Sequence, residues 1–201
     1  MRIIHVIPTL GCGGAEILVS SMIEELFNQG HQIQLVCLQP HHETYKNLPN
    51  KEFLEKNIPI HIISDTVSFK FGKDVVINNP DFENIIQEFK PQIIHAHLYM
   101  SLINSLALKK RDGVELFVHF HDNMSQLKKF KFFDLFSKKR LADLFEKQWI
   151  LKRTKLWNPK VIAISQDTIK YVQNNYISSN IHFLQNAIMA LNVSSGASTM
   201  S

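Results

Sequence analysis

Two hydrophobic patterns alternate along this chain. Arg2-Ile3-Ile4-His5-Val6-Ile7 is a short apolar run closed by Pro8 and Gly11. Residues 15–29 then place Ile17, Leu18, Met22, Ile23, Leu26 and Phe27 at helical spacing, with Gly30 where a helix-terminating glycine belongs. Further short runs at 32–38, 58–63, 92–96, 115–120, 160–164 and 181–184 read as strands. Between them, residues 43–56 (broken near Pro49), 82–89, 100–111, 125–155 and 166–176 read as helices. Residues 64–80 are polar and read as loop. Near-continuous apolar strands that alternate with helices predict a doubly wound, Rossmann-like parallel sheet of about six to seven strands, with helices on both faces. Residues 1–188 form one such domain, and residues 189–201, small, polar and aperiodic, read as an irregular tail.

Composition narrows the class. A hydrophobic share of 45% supports a packed core, and seven glycines with seven prolines in 201 residues exclude a fibrous or disordered chain. No apolar run approaches the ~18 residues of a membrane span. The short apolar run after Arg2 gives way to turn residues, unlike a signal peptide. Cys12 and Cys37 form neither a disulfide framework nor a metal spacing, so the expected setting is reducing and cytoplasmic.

Charge is unevenly spread. Residues 128–155 hold ten Lys/Arg against three acids, a local excess of +7 in a chain of net +4. Phe130, Phe132, Phe133, Phe136, Phe145, Trp149 and Trp157 interleave with or adjoin these cations. A solvated helical face is one reading. A surface for an anionic membrane is the other, which places the protein peripherally at the inner membrane face. No nucleic-acid motif accompanies the charge, so nucleic acid is not an expected partner.

Candidate chemistry gathers at the carboxyl ends of the strands, where doubly wound sheets bind ligands. Pro8-Thr9-Leu10-Gly11-Cys12-Gly13-Gly14-Ala15-Glu16 joins the first strand to the first helix. Glycines let a backbone approach an anion closely, and a helix N-terminus offers free N–H groups and partial positive charge. Gly11, Gly13 and Gly14 therefore suit a phosphate or polar ligand, or else simply a tight turn. The dinucleotide fingerprint fails, because Glu16 stands where its third glycine belongs and no acid ends the second strand. No Gly-Lys-Ser/Thr follows, so a P-loop fails too. His95 and His97 close the fourth strand, and His119 and His121, followed by Asp122, close the fifth. Alternation puts each pair on one face. Paired histidines can chelate, but no carboxylate or cysteine completes a set, so no metal site is assigned. His97 and His121, the outer members, are the better site candidates.

Together these segments resemble the N-terminal domain of GT-B glycosyltransferases of the retaining family 4. MRIIHVIPTLGCGGAEILVSSMIEELFNQGHQIQLVCL resembles that family's opening, with its glycine turn ending in Gly-Gly-Ala-Glu. KPQIIHAHLYMS, FVHFHDN, VIAISQDTIKYV and IHFLQNAI resemble four later segments in the same order, so the likeness covers about residues 1–188. The resemblance implies transfer of a sugar from a nucleotide sugar to a hydroxyl of a glycan or lipid-linked acceptor, with retention and without a cofactor or obligatory metal. It implies that His121 faces the donor sugar as the catalytic histidine and that Asp122 follows it in the site. Gly13 and Gly14 are expected near the donor diphosphate or the acceptor, and His97 on the acceptor side. Glu16 is expected to be structural, and Ser165 to cap the next helix.

The family's second domain, which holds most of the donor, has no counterpart in residues 189–201, and Asn186-Ala187-Ile188 has alanine where glycine is usual. The expectation is an acceptor-side half, inactive alone, with a second chain or further sequence supplying the donor domain. The alternatives are a non-catalytic acceptor- or membrane-binding partner subunit, and another α/β enzyme with a histidine-lined site.

Overall fold

A computed structural model describes residues 1–64, 66–69, 75–120, 137–174 and 180–184. Its elements run β1 (Arg2–Ile7), α1 (Gly14–Asn28), β2 (Gln32–Cys37), a 3₁₀ turn (Glu43–Asn47), α2 (Lys51–Asn57), β3 (Ile60–Ile62), β4 (Thr66–Phe69) and β5 (Val75–Asn78). They continue as α3 (Pro80–Phe89), β6 (Ile93–His97), α4 (Leu98–Ala107), β7 (Glu115–Phe120), α5 (Lys138–Trp157), β8 (Lys160–Ala163), α6 (Gln166–Asn174) and β9 (Ile181–Phe183).

Seven strands form one sheet in the order β3-β2-β1-β6-β7-β8-β9, and every pairing in it is parallel. The order reverses between β1 and β6, the switch point at which a doubly wound sheet opens a crevice. The predicted architecture and strand count hold.

Two cores flank the sheet. Val19 and Ile23 of α1 and Leu54 of α2 pack with Ile7, Ile33, Leu35 and Cys37 on one face. On the other, Ile4, Val6, Ile94, Ala96, Leu116, Val118 and Phe120 meet Phe82 and Ile86 of α3, Leu102, Ile103 and Leu106 of α4, and Ile150 of α5. Right-handed crossovers require this split, because chain order runs outward in both directions from β1 and β6.

Sequence punctuation acts as expected at several ends. Gly30 adopts φ 83° just past α1, and its N–H donates to Phe27 O at 2.9 Å. Only glycine takes that left-handed turn without Cβ strain. Pro80 begins α3, where its missing N–H costs nothing.

One expectation is corrected. Residues 64–80 are not all loop: β4 and β5 pair antiparallel, with Val67 opposite Ile77. Val67 and Phe69 pack against the α3–α5 core, so alternate apolar side chains outweigh the segment's polar composition. The anticipated helix over 125–155 is described as α5 from Lys138; residues 125–136, and the tail at 189–201, lie outside the described residues.

Candidate functional site

The glycine turn lies at the carboxyl end of β1 beside the switch point. Gly13 is the N-cap of α1, and Ile17 N donates to Gly13 O at 3.0 Å. As a glycine, Gly13 brings no side chain to cap the first N–H groups of the helix. Gly13 and Gly14 are exposed. A Cβ on Gly14 would meet nothing within 4 Å, whereas a Cβ on Gly13 would lie 2.5 Å from Glu16 Oε2. Glu16 therefore folds back over the turn, consistent with its expected structural role. Neighbouring loops tie the turn down: Cys12 N donates to Thr44 Oγ1 at 3.2 Å, and Thr9 Oγ1 donates to Pro40 O at 2.7 Å.

Beside it, β6 ends in a strained step. Leu98, between His97 and Tyr99, has φ 67°, a left-handed conformation that costs a non-glycine residue on the order of 1–3 kcal/mol. Tyr99 donates a hydrogen bond to Glu146 of α5, and burial pushes the Glu146 carboxyl above its usual range. This bond holds the start of α4 against α5 at the carboxyl ends of the strands.

The histidines form one buried group. His5 on β1, His95 and His97 on β6, and His119 on β7 share the α1 face of the sheet, because His5 is in register with His95 and His97 with His119. His5 Nδ1 lies 3.1 Å from His97 Nε2. Ring centroids of His95 and His97 are 4.1 Å apart, and His119 stacks on His95 at 5.7 Å with planes 6° apart. His5, His97 and His119 are fully buried and His95 is 6% exposed. Burial pushes the His5 ring down to about 3, so it is neutral at physiological pH.

His97 thus joins an interior cluster. His121 and Asp122 lie outside the described residues; they are the two residues that follow the last residue of β7. Sequence reasoning missed His5. Only the strand order, which sets β1 beside the histidine-bearing β6, brings it into the group.

Ser165 caps α6 as expected: Thr168 N donates to Ser165 Oγ at 3.1 Å. Both cysteines are free, and burial raises the Cys37 thiol to about 12. The basic segment is only partly a charged surface. Arg140 pairs with Asp143 at 3.1 Å, and Arg153 donates to the carbonyls of Leu106 and Leu108 at the end of α4. Trp149 packs edge-on to Phe69, and Trp157 is buried. Lys139, Lys152 and Lys155 remain exposed, with Leu156 beside the last. Among the described residues no helix is long and apolar enough to cross a membrane. A concavity lined by Arg2, Lys90 and Arg111 lies at the amino end of the strands, opposite the glycine turn, and takes in none of the predicted site residues.

Comparison with known proteins agrees with this geometry. A solved glycosyltransferase from Rickettsia africae ESF-5 superposes with TM-score 0.61 at 17% identity, covering 93% of this chain and 43% of that one. Sucrose-phosphate synthase from Thermosynechococcus elongatus gives 0.57 at 12% identity over 94% and 48%. An alpha-glucosyltransferase solved with UDP and a 13-mer DNA gives 0.51 at 12% identity over 94% and 43%. An uncharacterized 42.6 kDa protein in the cps region of Klebsiella pneumoniae is 31% identical, covering 42% of this chain and 26% of that protein. The chain therefore spans less than half the length of each of these relatives. The family model for Glycosyltransferase Family 4 matches residues 12–189, and the chain belongs to that family.

Proposed function

We propose that this chain is the acceptor-side half of a retaining nucleotide-sugar transferase, of hexosyltransferase type, acting on a glycan or lipid-linked hydroxyl in cell-surface polysaccharide synthesis. The observation that carries this reading is the exposed Gly13-Gly14 turn at the start of α1, next to the sheet's switch point. Backbone N–H groups there suit a diphosphate or a phosphorylated acceptor, and the helix dipole favours negative charge. His121 and Asp122 follow β7 in the chain and complete the site, with His121 steadying charge that develops on the donor sugar. His97, buried behind that rim, positions the β6–α4 step on the acceptor side.

The main ligands of the diphosphate come from a donor domain, in further sequence or a second chain. Lys139, Lys152, Lys155 and the exposed Leu156 of α5 support a peripheral contact with anionic lipid. The test is transfer from UDP- and GDP-sugars to lipid-linked acceptors by the purified 201-residue chain. No detectable turnover alone, and turnover abolished by His121→Ala once a donor domain is joined, are the expected results. Turnover by the isolated chain overturns the half-enzyme reading. Sedimentation with liposomes that is indifferent to anionic lipid overturns the membrane contact.

A further inference from the structure

We propose that His5, His95 and His97 form a transition-metal site inside the domain, one that takes a late first-row divalent ion such as Zn²⁺ or Co²⁺. One ligating nitrogen from each ring lies within 4.8 Å of the other two, and all three rings are buried. Tetrahedral bonds of about 2.0–2.1 Å require nitrogens about 3.3 Å apart, and His5 Nδ1 and His97 Nε2 already stand at 3.1 Å. The third ligand is close by: the His95 ring centroid lies 4.1 Å from that of His97 and 5.1 Å from that of His5, both tilted.

The chemistry of the set selects the ion. Three imidazoles, with no carboxylate joining the set among the described residues, suit zinc, cobalt, nickel or copper, and disfavour magnesium and manganese, which want oxygen. Ligation takes the neutral form of each imidazole. His119, stacked on His95 and with its centroid 5.4 Å from that of His97, stands beside the set as an outer imidazole that orients the ligands.

The place of the set in the sheet gives an ion a role. Side chains from three strands meet here, β1 and β6 at the switch point and β7 beyond. An ion bound by β1 and β6 clamps the two strands whose carboxyl ends frame the glycine turn. The site is distinct from the rim proposed to bind the donor, and the ion is not offered as a ligand to its diphosphate.

The experiment is metal retention by the 201-residue chain. It is stripped with chelator, incubated with excess Zn²⁺ or Co²⁺, and desalted before elemental analysis. His95→Gln removes one ligand; His42→Gln/His182→Gln removes two exposed histidines and serves as the control. About one equivalent retained by wild type and by the surface variant, with loss in His95→Gln, is expected, and His119→Gln should weaken binding roughly 10–100-fold. Any other pattern in the first three proteins, no retained metal included, overturns the site. Should His95→Gln fail to fold, X-ray absorption of the wild-type zinc complex decides. Three imidazole nitrogens near ~2.0 Å support the proposal, and an oxygen-dominated shell overturns it.

Discussion

Ile4, Val6, Ile94, Ala96, Leu116 and Val118 meet the helices on one face of β1, β6 and β7. His5, His95, His97 and His119 occupy alternate positions on the same three strands and are buried almost as deeply. The backbone, register and depth are shared, and only the chemistry differs. The apolar face is explained by burial alone, at about 1.5–3 kcal/mol for each large side chain removed from water. The imidazole face also needs partners for its ring nitrogens, such as the 3.1 Å contact between His5 Nδ1 and His97 Nε2, because drying a polar ring costs free energy unless partners replace water. Depth in the sheet therefore does not separate packing from function here; the side chains at that depth do.

Acid should break this contrast most strongly. His5 titrates near 6.5 when unfolded and at about 3 when folded, because burial disfavours its charged form. Below pH 6.5 the unfolded chain takes up a proton that the folded chain refuses, so stability falls as pH drops and levels off below about 3. One such group contributes roughly 1.4 kcal/mol per pH unit, about 5 kcal/mol over the window. Urea denaturation of metal-free protein at pH 7 and pH 4 should show about 3 kcal/mol of it. His5→Leu should flatten that part of the profile. An unchanged slope would locate acid sensitivity away from the histidine face.

The apolar face should respond to volume and not to pH. Phe120 is fully buried at the end of β7, its ring beside Tyr171 of α6. Phe120→Ala removes that packing and leaves a cavity, for an expected loss of about 3–5 kcal/mol at every pH. A loss below ~1 kcal/mol in the same denaturation series would mean that the β7–α6 contact is looser than the structure shows.

The two faces were also unequally legible. Continuous apolar runs such as Val161-Ile162-Ala163 announce buried parallel strands, and the helix stops at Gly30 and Lys90-Pro91 were equally plain. The β4–β5 pair was not. Thr66-Val67-Ser68-Phe69 alternates, but four residues set among charges give too short a period to stand out. At the site, the glycine turn and the His95/His97 pair were visible as spacing. His5 was hidden because its partners are about ninety residues away, and only strand order brings them together. The inside position of His97 was hidden for a related reason. Alternation fixes which face a residue takes, but not whether another strand's side chain covers it.

Outside both faces, a polar group with its partner in place should cost little to keep and a modest amount to lose. Ser165 Oγ accepts from Thr168 N at 3.1 Å and lies 2.9 Å from Thr168 Oγ1. Ser165→Ala leaves an orphan N–H at the start of α6 and should destabilise by about 1 kcal/mol. Ser165→Asp, which caps as well and adds charge at the helix N-terminus, should restore it. Failure of the aspartate to rescue would show that the hydroxyl serves the rim and not the cap.

The smallest effect is expected at the solvent edge of the histidine face itself. Lys160 is aligned with Phe117 and hence with the His5–His95 row, yet its Nζ reaches both Glu115 oxygens at 2.8 Å and lies 5.1 Å from the Phe117 ring centroid. Glu115 is 52% exposed and Lys160 33%, so water and salt screen the pair. Glu115→Gln should change stability by no more than about 0.5–1 kcal/mol, and less in high salt. If the loss instead matches that of Phe120→Ala, the dry environment of the imidazoles extends to the amino end of β7 and β8. The distinction between a wet edge and a buried histidine group would then fail. A small, salt-sensitive loss places the boundary between Lys160 and His95, two strands apart in one row of the sheet.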